Sequence, residues 1–374
     1  MKRIFCVANG TDDIKEILTI NKFPLYCGCV NTDLSEDIFY DMKWGYSASS
    51  NLVQLMDLVD LDELYRQHHN SGTVGKIWKD HHKNFANFIR VNDGDSVLEV
   101  GGASGNLVSH FIDSDKDFKW ALLEPSSAFK THDSRVTHIS DYLETHDFLD
   151  KKFDTVIHSH VIEHSYEPIK FLQKLNSLLK NSGQQFISMP NIGKWLENGY
   201  TNALGFEHTY YLDEVIIKNL LNKSGFDIVS MEVNDHSIFI HSIKSNKQFN
   251  EEIKSDSLVK YIKYLKDLND RVKDINKFVG PEKVYLFGAH VFSQVLLNMG
   301  IKESSVISIL DDDPLKHGLR LYGTGLMVEP TSVLDGQSSP KVIVDAGPYT
   351  EQIKNNIINN INNTVVFYEH MDRK

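Results

Sequence analysis

Between residues 93 and 245 the chain alternates two patterns of apolar and polar positions. Short apolar runs at Val97–Val100, Trp120–Leu123, Val136–Ile139, Phe153–His158 and Gln185–Met189 have the length and composition of buried strands. Between them apolar residues fall three or four apart. Ile169, Leu172, Leu175 and Leu179 make one such stripe, with Ser165 as its expected N-cap, Pro168 in its first turn and Gly183 as its stop. Val215–Leu221 makes another, and Ile77, His81, Phe85 and Phe88 a third, ahead of the first strand. Strand alternating with helix predicts an α/β fold with a mostly parallel sheet.

The same pattern restarts near the C-terminus. Lys283–Phe287 leads through Gly288-Ala289 into a helix over Val291–Met299. A strand at Val306–Leu310 ends in Asp311-Asp312-Asp313, and Val342–Asp345 is a further strand. Between the two units, Leu258, Ile262, Leu265, Leu268, Val272 and Ile275 predict an amphipathic connecting helix. The first residues read as irregular, apart from a short helix around Asp62–Gln67. The expected organisation is an N-terminal segment over 1–70, a core over 71–245, a helical linker over 246–280 and a second α/β domain over 281–374.

Composition narrows the chemistry. A charge of −12 counts against nucleic-acid binding. No apolar run reaches membrane length and the N-terminus lacks a signal-peptide pattern. Cys6, Cys27 and Cys29 are too few for a disulfide scaffold, so the expected compartment is a reducing cytoplasm. They are also too few, and wrongly spaced, for structural zinc, and no metal site is expected. Oligomeric state is left open.

The first strand ends in Glu99-Val100-Gly101-Gly102-Ala103-Ser104-Gly105. Gly101 and Gly105 permit a tight turn, but the spacing is E-x-G-x-x-x-G rather than the G-x-G-x-x-G of dinucleotide binders. Glu124 ends the second strand, where a carboxylate can accept both hydroxyls of a ribose. An acid beside the turn suits a cationic ligand better than a pyrophosphate. S-adenosylmethionine (SAM), with an ammonium and a sulfonium, meets both conditions. Asp141 can accept from an adenine amino group and Tyr142 can stack on the base. The fourth strand carries His158, His160, Glu163 and His164 to the crevice at the strand ends. The loop Gly199–Leu212 is dense in polar and aromatic groups, with His208 the leading base and Glu207 its partner. Asn191, Tyr200 and Asn202 are candidate substrate contacts. The polar turn His68–Gly72 is a candidate lid over the cofactor, with Ser71 a candidate cofactor contact and His69 a candidate substrate contact. Gly288 stands alone, without the glycine set that would admit a pyrophosphate, and the triple acid lacks other evident ligands for Mg²⁺.

Residues 97–191 resemble a class I SAM-dependent methyltransferase through Glu99-Val-Gly101…Gly105, Glu124, Asp141 and His160-Val-Ile-Glu-His164. The whole chain resembles a narrower family, the sugar C-methyltransferases of deoxysugar biosynthesis. It does so through Asn51–Leu55, the Ser71-Gly72 turn, Phe206-Glu207-His208 and Asp312–Gly318. The resemblance implies a small N-terminal segment, a Rossmann-like methyltransferase core and a C-terminal Rossmann-like domain. It implies SAM as cofactor, a sugar or nucleotide-linked sugar as acceptor, and Glu207 and His208 as the catalytic pair. Four positions depart from the family. Asn9, Ser47 and Ser50 stand where zinc thiolates would be, leaving Cys6, so packing of Phe39, Trp44 and Tyr46 should hold the segment instead. Gly205 stands where a tyrosine is often found. Methylation at carbon or at oxygen is compatible with a His-Glu pair.

Overall fold

The computed structural model describes residues 1–65, 76–125, 130–245 and 254–369. Its centre is a seven-stranded sheet. In chain order the strands are β1 Asp95–Val100, β2 Phe118–Leu123, β3 Val136–Ile139, β4 Phe153–Ser159, β5 Leu179–Pro190, β6 Phe226–Val233 and β7 Ser237–Lys244. Their spatial order is β6-β7-β5-β4-β1-β2-β3. Neighbours among β1 to β5 pair in parallel, while β7 runs antiparallel to both β5 and β6. The order reverses between β1 and β4, the place where such sheets open a crevice for ligands. Fully buried Val97, Leu98, Val156, Ile157 and Ile187 make this a two-sided core, with helices on both faces.

Local details correct several expectations. The helix after β4 spans Pro168–Leu178, with Pro168 at its first position and Glu167, not Ser165, as N-cap. Leu179 is already extended, and β5 runs through Gly183, so that glycine lies within a strand and stops nothing. The N-terminal part is not irregular. Ile14–Pro24, Phe39–Ser47 and Val53–Leu55 form an antiparallel sheet. Trp44 is fully buried in it, but Phe39 is exposed and does not anchor it. The short helix there is Leu61–Leu64, capped by Asp60.

Cys6, Asn9, Ser47 and Ser50 meet in one corner, joined by hydrogen bonds. Cys6 Sγ lies 3.4 Å from Ser50 Oγ, the Ser50 amide donates to Ser47 Oγ, and Asn9 Nδ2 donates to Ser49 Oγ. Asp13 accepts from Ser47 Oγ and from the Ser49 amide. Burial opposes its ionisation, yet hydrogen bonds from Thr11, Ser49 and Ser47 hold its carboxyl down at about 2.

The expected linker is a helix of 23 residues, Ser257–Val279. Its buried face carries Tyr261, Tyr264, Leu268, Val272 and Ile275, while Ile262 is exposed. This face shares one core with Phe23 and Trp44 of the N-terminal sheet and with Leu286 and Ile309 beyond it. The C-terminal unit is a parallel five-stranded sheet: Val328–Glu329, Val306–Leu310, Val284–Phe287, Lys341–Val344 and Val366–Phe367 in spatial order. Arg320 makes a bidentate pair with Asp37 at 2.6 and 2.8 Å, tying this unit to the N-terminal part.

Candidate active site

The glycine turn follows β1 as the strand pattern requires. Gly101 has φ +72°, and a Cβ there would sit 2.5 Å from Val161 Cγ2. Both conformation and space therefore demand glycine. Glu99 is buried beneath the turn, 3% exposed, with Trp120 Nε1 donating to its carboxylate at 2.8 Å. Burial raises its carboxyl to about 7, the Trp120 bond opposing and Glu124 adding. Glu124 follows β2 and reaches back to the turn, accepting from the Ala103 amide at 2.9 Å. Asp141 follows β3 and accepts from Thr145 Oγ1 and the Tyr142 amide, while His146 Nδ1 lies 3.0 Å away. Those bonds, Thr145 foremost, hold its carboxyl below the usual range. The Tyr142 ring beside it is 54% exposed. Gly105 closes the turn, its amide donating to Gly102. A strand-end acid bonded to a glycine turn, with an open aromatic face at the next strand, fits a ligand that has a ribose, a flat base and a cationic end.

His158 has a different place. It is fully buried, against Gln185 of β5 at 2.9 Å and the Phe171 ring. Asn191 caps the helix Ile192–Glu197, accepting from the Lys194 amide and donating to Asn234 O. The Tyr200 ring packs beside Gly347, and Asn202 Oδ1 is buried with no hydrogen-bond partner. His69 and Ser71, with the turn over 68–72, lie outside the described residues.

Beyond β4, His160 takes φ +54°, a strained conformation for a residue with a side chain. A short turn, Ile162–His164, follows. The Thr209 amide donates to Glu163 O, and Tyr210 Oη donates to Ile162 O, so the 207–210 segment is laced to this turn. Ligating atoms of Glu163, His164 and His208 lie within 4.8 Å of one another. Tyr65 Oη is 3.2 Å from His164 Nδ1. Glu163 is 2% exposed, and neither carboxylate oxygen has a hydrogen-bond partner; His160 Nδ1 approaches to 3.4 Å and His164 Nε2 to 4.0 Å. Burial pushes the His208 imidazolium down to about 4; His164 adds to this, while Glu163 and then Glu207 oppose it. The acid that sequence reasoning paired with His208 thus shares the place with Glu163, from a different element.

A second histidine group adjoins the first. His81 on the helix Lys76–Phe88, His160, and His236 in the β6–β7 turn surround Ser237. The Trp78 ring meets His81, His160 and His236 edge-on. The sequence marks His81 only as one position of a buried stripe, and His236 carries no mark. The one local hint is a histidine beside a hairpin turn.

Residues 66–231 match the family described as a methyltransferase domain. No curated protein matches the chain. Among solved structures it is similar to a putative SAM-dependent methyltransferase from Listeria monocytogenes, 15% identical over 46% of this chain and 100% of that one, TM-score 0.39. A SAM-dependent methyltransferase from Aquifex aeolicus is 14% identical over 44% and 88%, TM-score 0.34. The glycopeptide N-methyltransferase MtfA complexed with SAM is 16% identical over 44% and 93%, TM-score 0.36. The matched segment carries the parallel strands β1 to β5, so the central unit is a methyltransferase domain of Rossmann-like strand order.

Proposed function

We propose that the chain methylates a sugar, carried on a nucleotide, with His208 as the general base. The observation that carries this reading is the junction of His208, His164 and Glu163 at the end of β4, beside the crevice of the glycine turn. SAM supplies an electrophilic methyl group on a cationic sulfur. Glu124 would hold the ribose, Asp141 and Tyr142 the adenine, and the turn at Gly101–Gly105 the amino-acid end. The rest of the task is alignment and removal of one proton. His208 is neutral at pH 7 because burial disfavours its charge. It can therefore accept a proton from an acceptor hydroxyl, or from a carbon beside a carbonyl. The imidazolium so formed faces Glu163 and Glu207, which favour it electrostatically. A Cβ at Gly205 would meet nothing within 4 Å.

The support for a sugar is the resemblance of the Phe206-Glu207-His208 landmark and of the C-terminal α/β unit. The test is turnover with candidate nucleotide sugars, read as S-adenosylhomocysteine released. His208→Ala should lower turnover by about 10²–10⁴-fold with SAM affinity nearly unchanged, and Glu207→Gln should cost less. Turnover should rise with pH through about 4 and be level near neutrality. Normal turnover in His208→Ala, with collapse in His164→Ala or His160→Ala, would move the base to the β4 turn.

A further inference from the structure

Three imidazole nitrogens converge on one atom next to the proposed acceptor site. His236 Nδ1 lies 2.7 Å from Ser237 Oγ, His160 Nε2 3.0 Å and His81 Nδ1 3.2 Å. The three ligating atoms are mutually within 4.8 Å. They arrive from a helix, a strand end and a hairpin turn, so no single element accounts for the convergence. Two of the rings are also oriented from behind. Ser159 Oγ is 3.2 Å from His81 Nε2, and Glu163 Oε1 is 3.4 Å from His160 Nδ1. A carboxylate or hydroxyl on the far nitrogen is how metal-ligating histidines are held in the right tautomer. With its proton on Nδ1 facing Glu163, His160 turns a lone pair toward Ser237. That pairing also gives a purpose to a buried carboxylate without a hydrogen bond.

We propose that His81, His160 and His236 bind a divalent transition-metal ion of the kind imidazole favours, such as Zn²⁺ or Co²⁺, between their three facing nitrogens, with the Ser237 hydroxyl turned aside to make room for it. Three neutral nitrogens and an adjoining hydroxyl or water make the donor set of an open tetrahedral site. Glu163 links this centre to His208, so an ion here would sit one residue from the proposed base and could take an oxygen of the acceptor as its fourth ligand.

The test uses metal uptake, which reads out independently of methyl transfer. Full-length protein is stripped with a chelator and titrated with Co²⁺ alone, with Zn²⁺ in competition. The expected result is one equivalent bound, with the visible absorption of tetrahedral Co²⁺. His236→Ala and His81→Ala should each weaken binding by about 10²-fold or more, and Glu163→Gln by about 10–100-fold. His236 lies in a hairpin turn, so its variant tests the site even if His81→Ala fails to fold. His208→Ala should leave uptake unchanged. Absence of stoichiometric binding would overturn the proposal. So would uptake lost in His208→Ala and retained in His236→Ala, which would place the ion at Glu163, His164 and His208.

Discussion

The chain makes the same turn twice and buries the acid of only one of them. In the central unit β1 runs into Gly101, and the acid after the next strand, Glu124, bonds the Ala103 amide. In the C-terminal unit Val284–Phe287 runs into Gly288 at φ +107°, and the acid after the next strand, Asp311, bonds the Ala289 amide at 2.9 Å. The difference lies in burial: Glu124 is half-buried, whereas Asp311 is covered by its surroundings. Lys316 Nζ sits 3.0 Å from the same Asp311 oxygen, the Asp313 amide donates to the other, and the residue is 8% exposed. Asp312 accepts from Thr331 Oγ1. Cys29 Sγ of the N-terminal part donates to Ala289 O across the turn. A lysine from its own loop and a neighbouring strand close the second turn. The strand–glycine–acid order is thus a way of joining a strand to a helix, used in both units.

Paired substitutions can break this contrast. Gly101→Val meets Val161 at once and forces a β-branched residue to positive φ, so SAM affinity measured by calorimetry should fall by roughly 10²-fold or more. Gly288→Ala, with Phe292 Cβ at 3.7 Å, should leave that affinity unchanged and cost about 1–2 kcal/mol of stability. Equal SAM affinities in the two variants would erase the distinction. One step smaller, Glu124→Ala should weaken SAM by about 10–100-fold through lost charge-assisted bonds. Asp311→Asn should instead destabilise by about 3 kcal/mol, because Lys316 is left largely buried without its partner.

A pH-dependent effect sharpens the first turn alone. The Glu99 carboxyl is raised from 4.5 to about 7, so the folded state holds its proton more tightly than the unfolded chain. Its contribution is full below pH 4.5 and is lost as pH rises through about 7, on the order of 3 kcal/mol. Glu99→Gln should flatten the denaturation midpoint across that window. A midpoint profile identical to the parent would show that Glu99 ionises freely beneath the turn.

The order of strands and helices from β1 to β5 was readable because each depends on neighbours in the chain: apolar runs for strands, a 3.6-residue stripe for helices, glycine at the turn. The same logic placed Glu124 and Asp141 at strand ends. It failed at Gly183 and Leu179, where pairing with β4 overrode a helix stop, and across the N-terminal sheet, whose strands are buried by a helix more than 200 residues away. It also put Ile262 on the buried face, where Tyr261 and Tyr264 fill the space.

By itself, then, the sequence determined that a parallel α/β unit carries a glycine turn with acids at successive strand ends, since these are properties of short stretches. Only the tertiary structure decided which histidines meet. His81, His160 and His236 meet because a helix, β4 and the antiparallel β7 pack at one edge, and Glu163 meets His208 because backbone hydrogen bonds lace two loops together. Convergence of side chains far apart in sequence is set by packing, and no local pattern records it.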